Sequence, residues 1–218
     1  MFEAFDRTHL AAALVVGVTV SMALQGRPPD THAAIPVHAA PLPDMPARAL
    51  PGGAPAQIRV PAQTVDLGGG FSATLMYGYA IEGEVVTRRD FWSDAVSAAS
   101  PLDLGIVWGS LGDGSATDVL SFRAGVRMIS YRPEPDADLP AGWEEQVTNN
   151  HLVPASDAVR NALLEVRPGD RVLLRGYLVT LTGEDLAPWR SSTRRDDNTI
   201  FGGCEIILVR EVEVLGRT

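Results

Sequence analysis

The sequence predicts a mainly β (α+β) domain, a small antiparallel barrel with an OB-like barrel as one candidate form, after an N-terminal transmembrane helix. Three observations support this prediction: an apolar run lies near the N-terminus, a proline-rich stretch follows it, and β-branched and aromatic segments then alternate with glycine- and proline-containing turns. The strand segments lie too close together for helical crossovers, which favours antiparallel neighbours. One or two short helices complete the prediction.

The first segment, residues 1–25, contains the uncharged run Leu10–Leu24. Its fifteen residues would rise about 22 Å as a helix, and the mildly polar flanks bring the length close to the roughly 30 Å of a hydrocarbon core. We therefore expect a single-pass anchor in a bacterial inner membrane, with the C-terminal domain in the periplasm. The alternative is a signal peptide cleaved near Ala23, because a short apolar region that ends in small residues also fits export.

The second segment, residues 26–61, holds nine of the 16 prolines and no aromatic residue. Proline removes backbone donors and favours extended neighbours, so we expect a semi-rigid spacer without a packed core. The third segment, residues 62–218, is large enough for one domain with its own core. From Ile58 onward the chain has 23 acidic residues against 15 arginines, a net charge of −8, which argues against a nucleic-acid partner.

Within this domain the β-branched and aromatic residues predict strands, the second and third of which can be one bent strand. The predicted strands are Gln63–Leu67, Phe71–Tyr79, Ile81–Thr87, Ala124–Tyr131, Arg171–Leu181, Trp189–Thr193 and Cys204–Leu215. Gly176 indicates a bend or bulge within its strand. Ser156 can cap a helix over Asp157–Val166, whose apolar residues share one face.

Two stretches between the third and fourth predicted strands also have helical signals. One covers Asp94–Ser100. The other begins at Ser100 with Pro101 in its first turn and ends near Val107, because serine and proline are typical of helix starts. The stretch from Pro133 to Gly142 is acidic and rich in proline, which predicts a loop.

Four stretches of the domain resemble an uncharacterised family of bacterial single-pass membrane or exported proteins. They are IEGEVVTR, SPLDLGIVWG, NNHLVPA followed by a helix and GDRVLLRGYLV, and WRSSTRR…GGCE, and they span roughly Ala80 to Val214. The resemblance implies an N-terminal anchor and an envelope location. It implies no established activity, cofactor or substrate, so no catalytic residue follows from it.

The chemistry-bearing residues suggest one catalytic hypothesis. Cys204, His151 and Asp197 supply the residue types of a nucleophile, a base and an orienting acid, and Arg194 and Arg195 could lower the pKa of the thiol. The structural alternative is that the cysteine packs as a small apolar group at a strand start, while the histidine fixes the turn before a helix.

A ligand-binding hypothesis concerns the polar stretch around Trp189. Alternating serines and arginines could line a groove for an anionic or peptide ligand, with the indole as a stacking surface. The candidate residues are Trp189, Ser191, Ser192, Arg195 and Asp197. The alternative is that Trp189 closes the core and that Arg195 and Asp197 form a salt bridge within the loop.

A third group, Asp103, Asp113 and Asp118, could pair carboxylates for acid–base work, but its spacing matches no metal loop, and the Gly112–Gly114 stretch favours a turn. No metal or cofactor is therefore expected. We expect a membrane-anchored domain that binds a protein partner or an envelope ligand. The alternatives are a thiol-dependent hydrolase that uses Cys204 and His151, and a structural subunit of an envelope assembly.

Overall fold

The computed structural model of the protein describes residues 41–194 and 203–217. The predicted anchor Leu10–Leu24 and the first part of the predicted spacer lie outside the described residues. Among the described residues, no helix combines the length and the apolar character that a membrane crossing requires.

The described chain is mainly β, as the sequence predicts, with two α-helices, α1 (Ala116–Val119) and α2 (Asp157–Glu165). Short 3-10 turns cover Gly109–Leu111 and Trp143–Gln146. The strands are β1 (Ala56–Arg59), β2 (Thr64–Gly68), β3 (Phe71–Asp90), β4 (Leu102–Val107), β5 (Leu120–Ala124), β6 (Ile129–Pro133), β7 (Val147–Pro154), β8 (Asp170–Gly183), β9 (Leu186–Arg190) and β10 (Glu205–Arg217).

Five strands form a ring in the order β3, β4, β7, β10 and β8, and β8 pairs back with β3. Four of the five pairings are antiparallel, but β7 and β10 are parallel. The prediction of a wholly antiparallel sheet is therefore wrong at this pair. The reason is that α2, β8 and β9 separate the two strands in sequence, which provides the long crossover that a parallel pair needs.

Residues 41–61 contact the sheet, although the sequence predicts them to belong to a spacer without a packed core. Leu42 and Met45 pack against one core cluster, and the Tyr177 hydroxyl donates a hydrogen bond to the Pro43 carbonyl. Strand β1 also lies in this stretch and pairs with β3. The described domain thus begins before residue 62.

Alternate residues of the ring strands enter different core clusters, because successive side chains of a strand point to opposite faces. In β7, for example, Leu152 belongs to a cluster with Leu163 of α2, whereas Val153 belongs to a cluster with β2 and β9. His151 lies one residue from Leu152 and two from Val153, so it faces the second side. Asp103 of β4 pairs directly with His151.

Local predictions succeeded at α2 and β8. The Ser156 side chain accepts a hydrogen bond from the Val159 N–H at 3.3 Å, which confirms the predicted cap. Strand β8 itself is confirmed, but the bulge lies in β10, between Val209 and Glu211, and not at Gly176. A Cβ on Gly176 would lie 2.1 Å from the Leu208 carbonyl oxygen, so the glycine permits a close approach between β8 and β10.

Three local predictions were wrong. Leu102–Val107 is strand β4 rather than a helix, because both faces of this segment are covered and all six residues are buried. Residues 94–100 form turns and not a helix. Ala124–Tyr131 is not one strand, since it spans the turn that joins β5 to β6.

Candidate functional site

The turn between β5 and β6 carries a backbone feature that points to a site. Arg127 has a φ of 53°, in the left-handed region that non-glycine residues rarely adopt. The Gly125 N–H donates to the Met128 carbonyl at 2.7 Å and closes the turn. The left-handed conformation costs about 1 kcal/mol for an ordinary side chain, so the contacts of this arginine must compensate for it.

The Arg127 guanidinium uses its donors on three neighbours. Its Nε donates to Asp94 Oδ2 at 2.9 Å and its Nη2 donates to Asp94 Oδ1 at 3.0 Å. Its Nη1 reaches Asp103 Oδ1 at 2.9 Å and Ser100 Oγ at 3.2 Å, and Nη2 reaches the Ser100 carbonyl at 2.8 Å. The planar fork of arginine suits this arrangement, because it makes a two-point contact with one carboxylate while bonding others.

Aromatic rings cover the same guanidinium. Its carbon lies 3.7 Å from the centre of the Phe91 ring and 5.7 Å from the Trp189 ring. A cation over a ring face is attracted by the ring quadrupole, more so when water is excluded. The rings therefore stabilise the charge and shield it from solvent.

His151 completes the group. Its Nδ1 lies 2.9 Å from Asp103 Oδ1, a close contact without the alignment of a hydrogen bond. Its ring centre is 4.5 Å from the Trp189 ring at an interplanar angle of 46°. The Asn149 side-chain amide donates to Asp103 Oδ2 at 3.4 Å. We call the following set the Arg127 cluster: Phe91, Asp94, Ser100, Asp103, Arg127, Asn149, His151 and Trp189.

The Arg127 cluster joins segments far apart in sequence. Asp103 and His151 come from paired positions of β4 and β7, and the β5–β6 hairpin inserts Arg127 from above them. The turns at residues 91–100 and strand β9 supply the rest. This outward face of β4 and β7 is consequently closed by the chain's own side chains.

The acidity of Asp94 gives a test of this arrangement. Burial alone would raise the pKa of the Asp94 carboxyl, but the hydrogen bonds and charge of Arg127 and the Val96 N–H outweigh burial and lower it. A carboxyl whose pKa is lowered by folding stabilises the folded state above its unfolded pKa of about 3.9, and this contribution disappears as the pH falls through the folded value.

We therefore expect the free energy of unfolding to decrease with acid below about pH 4, and to decrease less steeply in Asp94→Asn. Urea denaturation of both proteins across this pH range measures the two slopes. Asp118→Asn is the control, because this carboxylate is exposed on α1 and has no ion pair or side-chain hydrogen bond within the described residues. Equal slopes in the parent and in Asp94→Asn would contradict the assignment.

The residues of the catalytic hypothesis lie as follows. His151 is buried in the Arg127 cluster with 2% of its side chain exposed, and the acid beside it is Asp103. Cys204 is half-buried just before β10, and its carbonyl accepts a hydrogen bond from the Ser192 N–H at 3.0 Å. Asp197 lies outside the described residues. A substrate could reach this imidazole only if the covering side chains moved.

The residues of the ligand-binding hypothesis are partly brought together. Trp189 pairs with Leu181 of β8 and contacts His151. The Ser191 hydroxyl accepts a hydrogen bond from the Ile206 N–H at 3.0 Å, and its own N–H donates to Val179. These two hydrogen bonds link the end of β9 to β8 and to β10. Arg195 and Asp197 lie outside the described residues, and Ser192 is half-buried beside Cys204.

The three predicted carboxylates have different surroundings. Asp103 is buried in the Arg127 cluster, whereas Asp113 accepts hydrogen bonds from Ser115 in an exposed turn and Asp118 is exposed on α1. Within residues 41–194 and 203–217, no group of three or more His, Cys, Asp or Glu side chains could hold a metal ion.

Sequence reasoning missed the centre of the site. The sequence predicts Arg127 within a strand and Asp94 at the start of a helix, and it does not predict these residues or Phe91 as parts of a site, because their contacts depend on residues 24 to 36 positions away along the chain. The sequence also does not predict the exposed apolar neighbours of these residues. They are Trp92, Val126 and Met128, with exposed fractions of 47%, 66% and 57%.

Comparisons with known proteins do not change this picture. No protein-family model matches the chain, and no match is found among curated proteins or among solved structures.

Proposed function

We propose that the protein is a membrane-anchored, extracytoplasmic binding domain whose contact surface is the apolar tip above the Arg127 cluster. We define the hairpin tip as Trp92, Val126 and Met128. The proposed anchor is the run Leu10–Leu24, and the residues that follow it are the spacer that connects the anchor to the domain. Its ligand is a protein partner or another component of the cell envelope. A secreted form cleaved near Ala23 is the alternative location.

The ring of strands supports an OB-type barrel as the fold of this domain. If the five ring strands are counted in chain order, the first, β3, pairs with the second, β4, and the fourth, β8, and the third, β7, runs parallel to the fifth, β10. Helix α2 lies between the third and fourth ring strands. OB folds bind their ligands on the face of strands two and three and on the loops beside it.

That face holds the Arg127 cluster in this chain. Strands two and three correspond to β4 and β7, which carry Asp103 and His151, and both side chains are almost wholly buried. Arg127 covers them with 14% of its side chain exposed. A ligand would have to displace this charge network to reach the face, so binding by the covering segments is favoured.

The observation that carries the proposal is the contrast across the hairpin turn. Arg127 is turned inward at a cost in backbone strain, while its neighbours Val126 and Met128 point their apolar side chains to solvent. Trp92 lies between Phe91 and Asp94, both of which contact Arg127. All three residues are thus exposed apolar neighbours, in sequence, of residues that the Arg127 cluster holds in place, and exposed apolar side chains on a fixed support are typical of an interaction surface.

The rival proposals have weaker support. For a thiol-dependent hydrolase, the contact between His151 and Asp103 would orient the imidazole, but the ring is enclosed by the Arg127 cluster with 2% of the side chain exposed. A structural subunit of an envelope assembly would also use an apolar surface, and it differs from a binding domain only in the permanence of the contact.

Photo-crosslinking tests the proposed surface. The full chain carries p-benzoylphenylalanine in place of Val126 and is irradiated in the membranes of a bacterium that produces it. A chain with the same probe in place of Val214, which is 51% exposed on β10, is the control. We expect adducts from position 126 to exceed those from position 214 severalfold. Equal yields would contradict the proposal.

A further inference from the structure

We propose that the hairpin tip binds the surface of an anionic lipid bilayer. The inference rests on the proposed function, since it names the ligand of the same surface. It requires apolar side chains that can enter the interface, cations beside them that can meet phosphate headgroups, and a rigid support. Each of these can be read from the described residues.

The apolar part of the tip suits a bilayer interface. Val126 and Met128 flank Arg127, the residue of the turn that points into the domain. They therefore project from the end of the β5–β6 hairpin rather than from a flat face. A Cβ on Gly125 would lie 2.7 Å from Met128 Cγ, which indicates that the methionine side chain folds over the turn. Trp92 adds an indole, the side chain that is enriched at membrane–water interfaces.

The charges beside the tip have the sign that anionic lipids require, although the whole chain has a net charge of −9. Asp90 is paired with Arg88 at 2.7 Å, and Arg127 is paired with both Asp94 and the buried Asp103. Arg89 and Arg123 have no carboxylate partner within the described part of the chain. Both are therefore able to meet headgroup phosphates.

These two arginines lie at the neck of the tip. The Arg89 guanidinium sits 5.6 Å from the Phe91 ring centre and donates to the Ala124 carbonyl at 3.4 Å. Arg123 is exposed on β5, opposite Ser130 of β6. The arrangement places cations just behind apolar side chains, the order in which headgroups and acyl chains are met from the water side.

The acidic stretch that follows β6 lies away from the tip. The Glu134 N–H donates to the Val119 carbonyl at the base of the hairpin. A five-residue strand separates this base from the turn, a distance of about 17 Å. At physiological ionic strength the Debye length is about 8 Å, so these carboxylates are screened from a surface that contacts the tip.

In a chain anchored through Leu10–Leu24, a low affinity of the tip for lipid is enough to hold the domain at the bilayer. A second contact within a tethered molecule is intramolecular, with an effective concentration on the order of millimolar for a short flexible connection. The three side chains and two arginines then need only bias the domain toward the bilayer. The expected outcome is a domain that lies on the membrane with its hairpin tip in the interface.

Environment-sensitive fluorescence tests this inference with the full chain. Val126→Cys in a Cys204→Ser background carries a nitrobenzoxadiazole label, and the protein is reconstituted into vesicles of phosphatidylcholine with or without phosphatidylglycerol. We expect a blue-shifted label that brominated lipids quench in the anionic vesicles, and a loss of both signals at high salt. Val214→Cys in the same background is the control position and should report water in all vesicles.

Charge reversal sharpens the test. Arg123→Glu should lower the ratio of lipid-bound to water-exposed tip about tenfold, because each arginine near an anionic surface contributes a severalfold bias. Arg210→Glu, on an exposed residue of β10, should leave the ratio unchanged. Circular dichroism confirms that each labelled chain is folded.

Three results would overturn the inference. They are a label that stays in water in anionic vesicles, equal insertion into neutral vesicles, and equal effects of the two charge reversals. If the label stays in water while crosslinking from position 126 in native membranes yields protein adducts, the tip binds a protein and only the lipid inference fails. If that crosslinking also fails, the proposed function fails with it.

Discussion

Arg127→Ala is expected to lower the free energy of unfolding by about 3–5 kcal/mol, the range seen when one partner of a buried ion pair is removed. The substitution leaves Asp103, which is 4% exposed, without its guanidinium and leaves Asp94 with only backbone donors. It also removes the cation from between the Phe91 and Trp189 rings. The substitution recovers little of the strain energy of the left-handed backbone conformation, because alanine is also strained in it.

Arg123→Ala is the matched control, since it removes an exposed arginine from the same hairpin and should change stability by less than about 0.5 kcal/mol. Urea denaturation monitored by tryptophan fluorescence measures both changes. Arg127→Lys should recover little, because an ammonium cannot reproduce the two-point contact with Asp94. If Arg127→Ala were as stable as Arg123→Ala, the Arg127 cluster would not hold the hairpin.

Gly176→Ala is the second substitution with a large expected effect, a loss of about 3 kcal/mol. Gly176 lies in β8 between β10 and β3, paired with Val209 and Tyr79. The new Cβ would fall 2.1 Å from the Leu208 oxygen and 2.9 Å from its carbonyl carbon. Both are backbone atoms of a paired strand, so neither can move aside without breaking the pairing that closes the ring.

Gly216→Ala provides the comparison, because a Cβ there meets no atom within 4 Å. It should be neutral or slightly stabilising, since alanine restricts the unfolded chain more than glycine does. Thermal and urea unfolding of the two variants separate steric conflict from the general effect of replacing glycine in a strand. Equal stability of both variants would contradict the close approach of β8 and β10.

Features that depend on neighbouring residues could be predicted from the sequence. Ser156 caps α2 through a bond to the N–H three residues later, and the β-branched and aliphatic residues of Arg171–Leu181 predict strand β8. The apolar spacing of β10 likewise predicts a strand near its observed bounds. In each case the signal and the structure lie within a few residues of each other.

Features set by distant contacts could not be predicted. The start of β4 has the local signals of a helix, yet burial on both faces makes it a strand, as tertiary packing overrides local propensity. Arg127 looks like an ordinary surface residue until the fold places Asp94 and Asp103 around it. The parallel pairing of β7 with β10 depends on the path of the intervening chain and not on either strand's residues.

Crosslinking from position 126 in membranes measures whether the hairpin tip is the contact surface of the domain. The yield of adducts from the chain with the probe at position 126 should be several times the yield from the chain with the probe at position 214. Adding Met128→Asp to the probed chain should reduce the yield, because a carboxylate on an exposed apolar site disfavours the contact without disturbing the core. Equal yields from positions 126 and 214, or no effect of Met128→Asp, would show that the hairpin tip is not the contact surface.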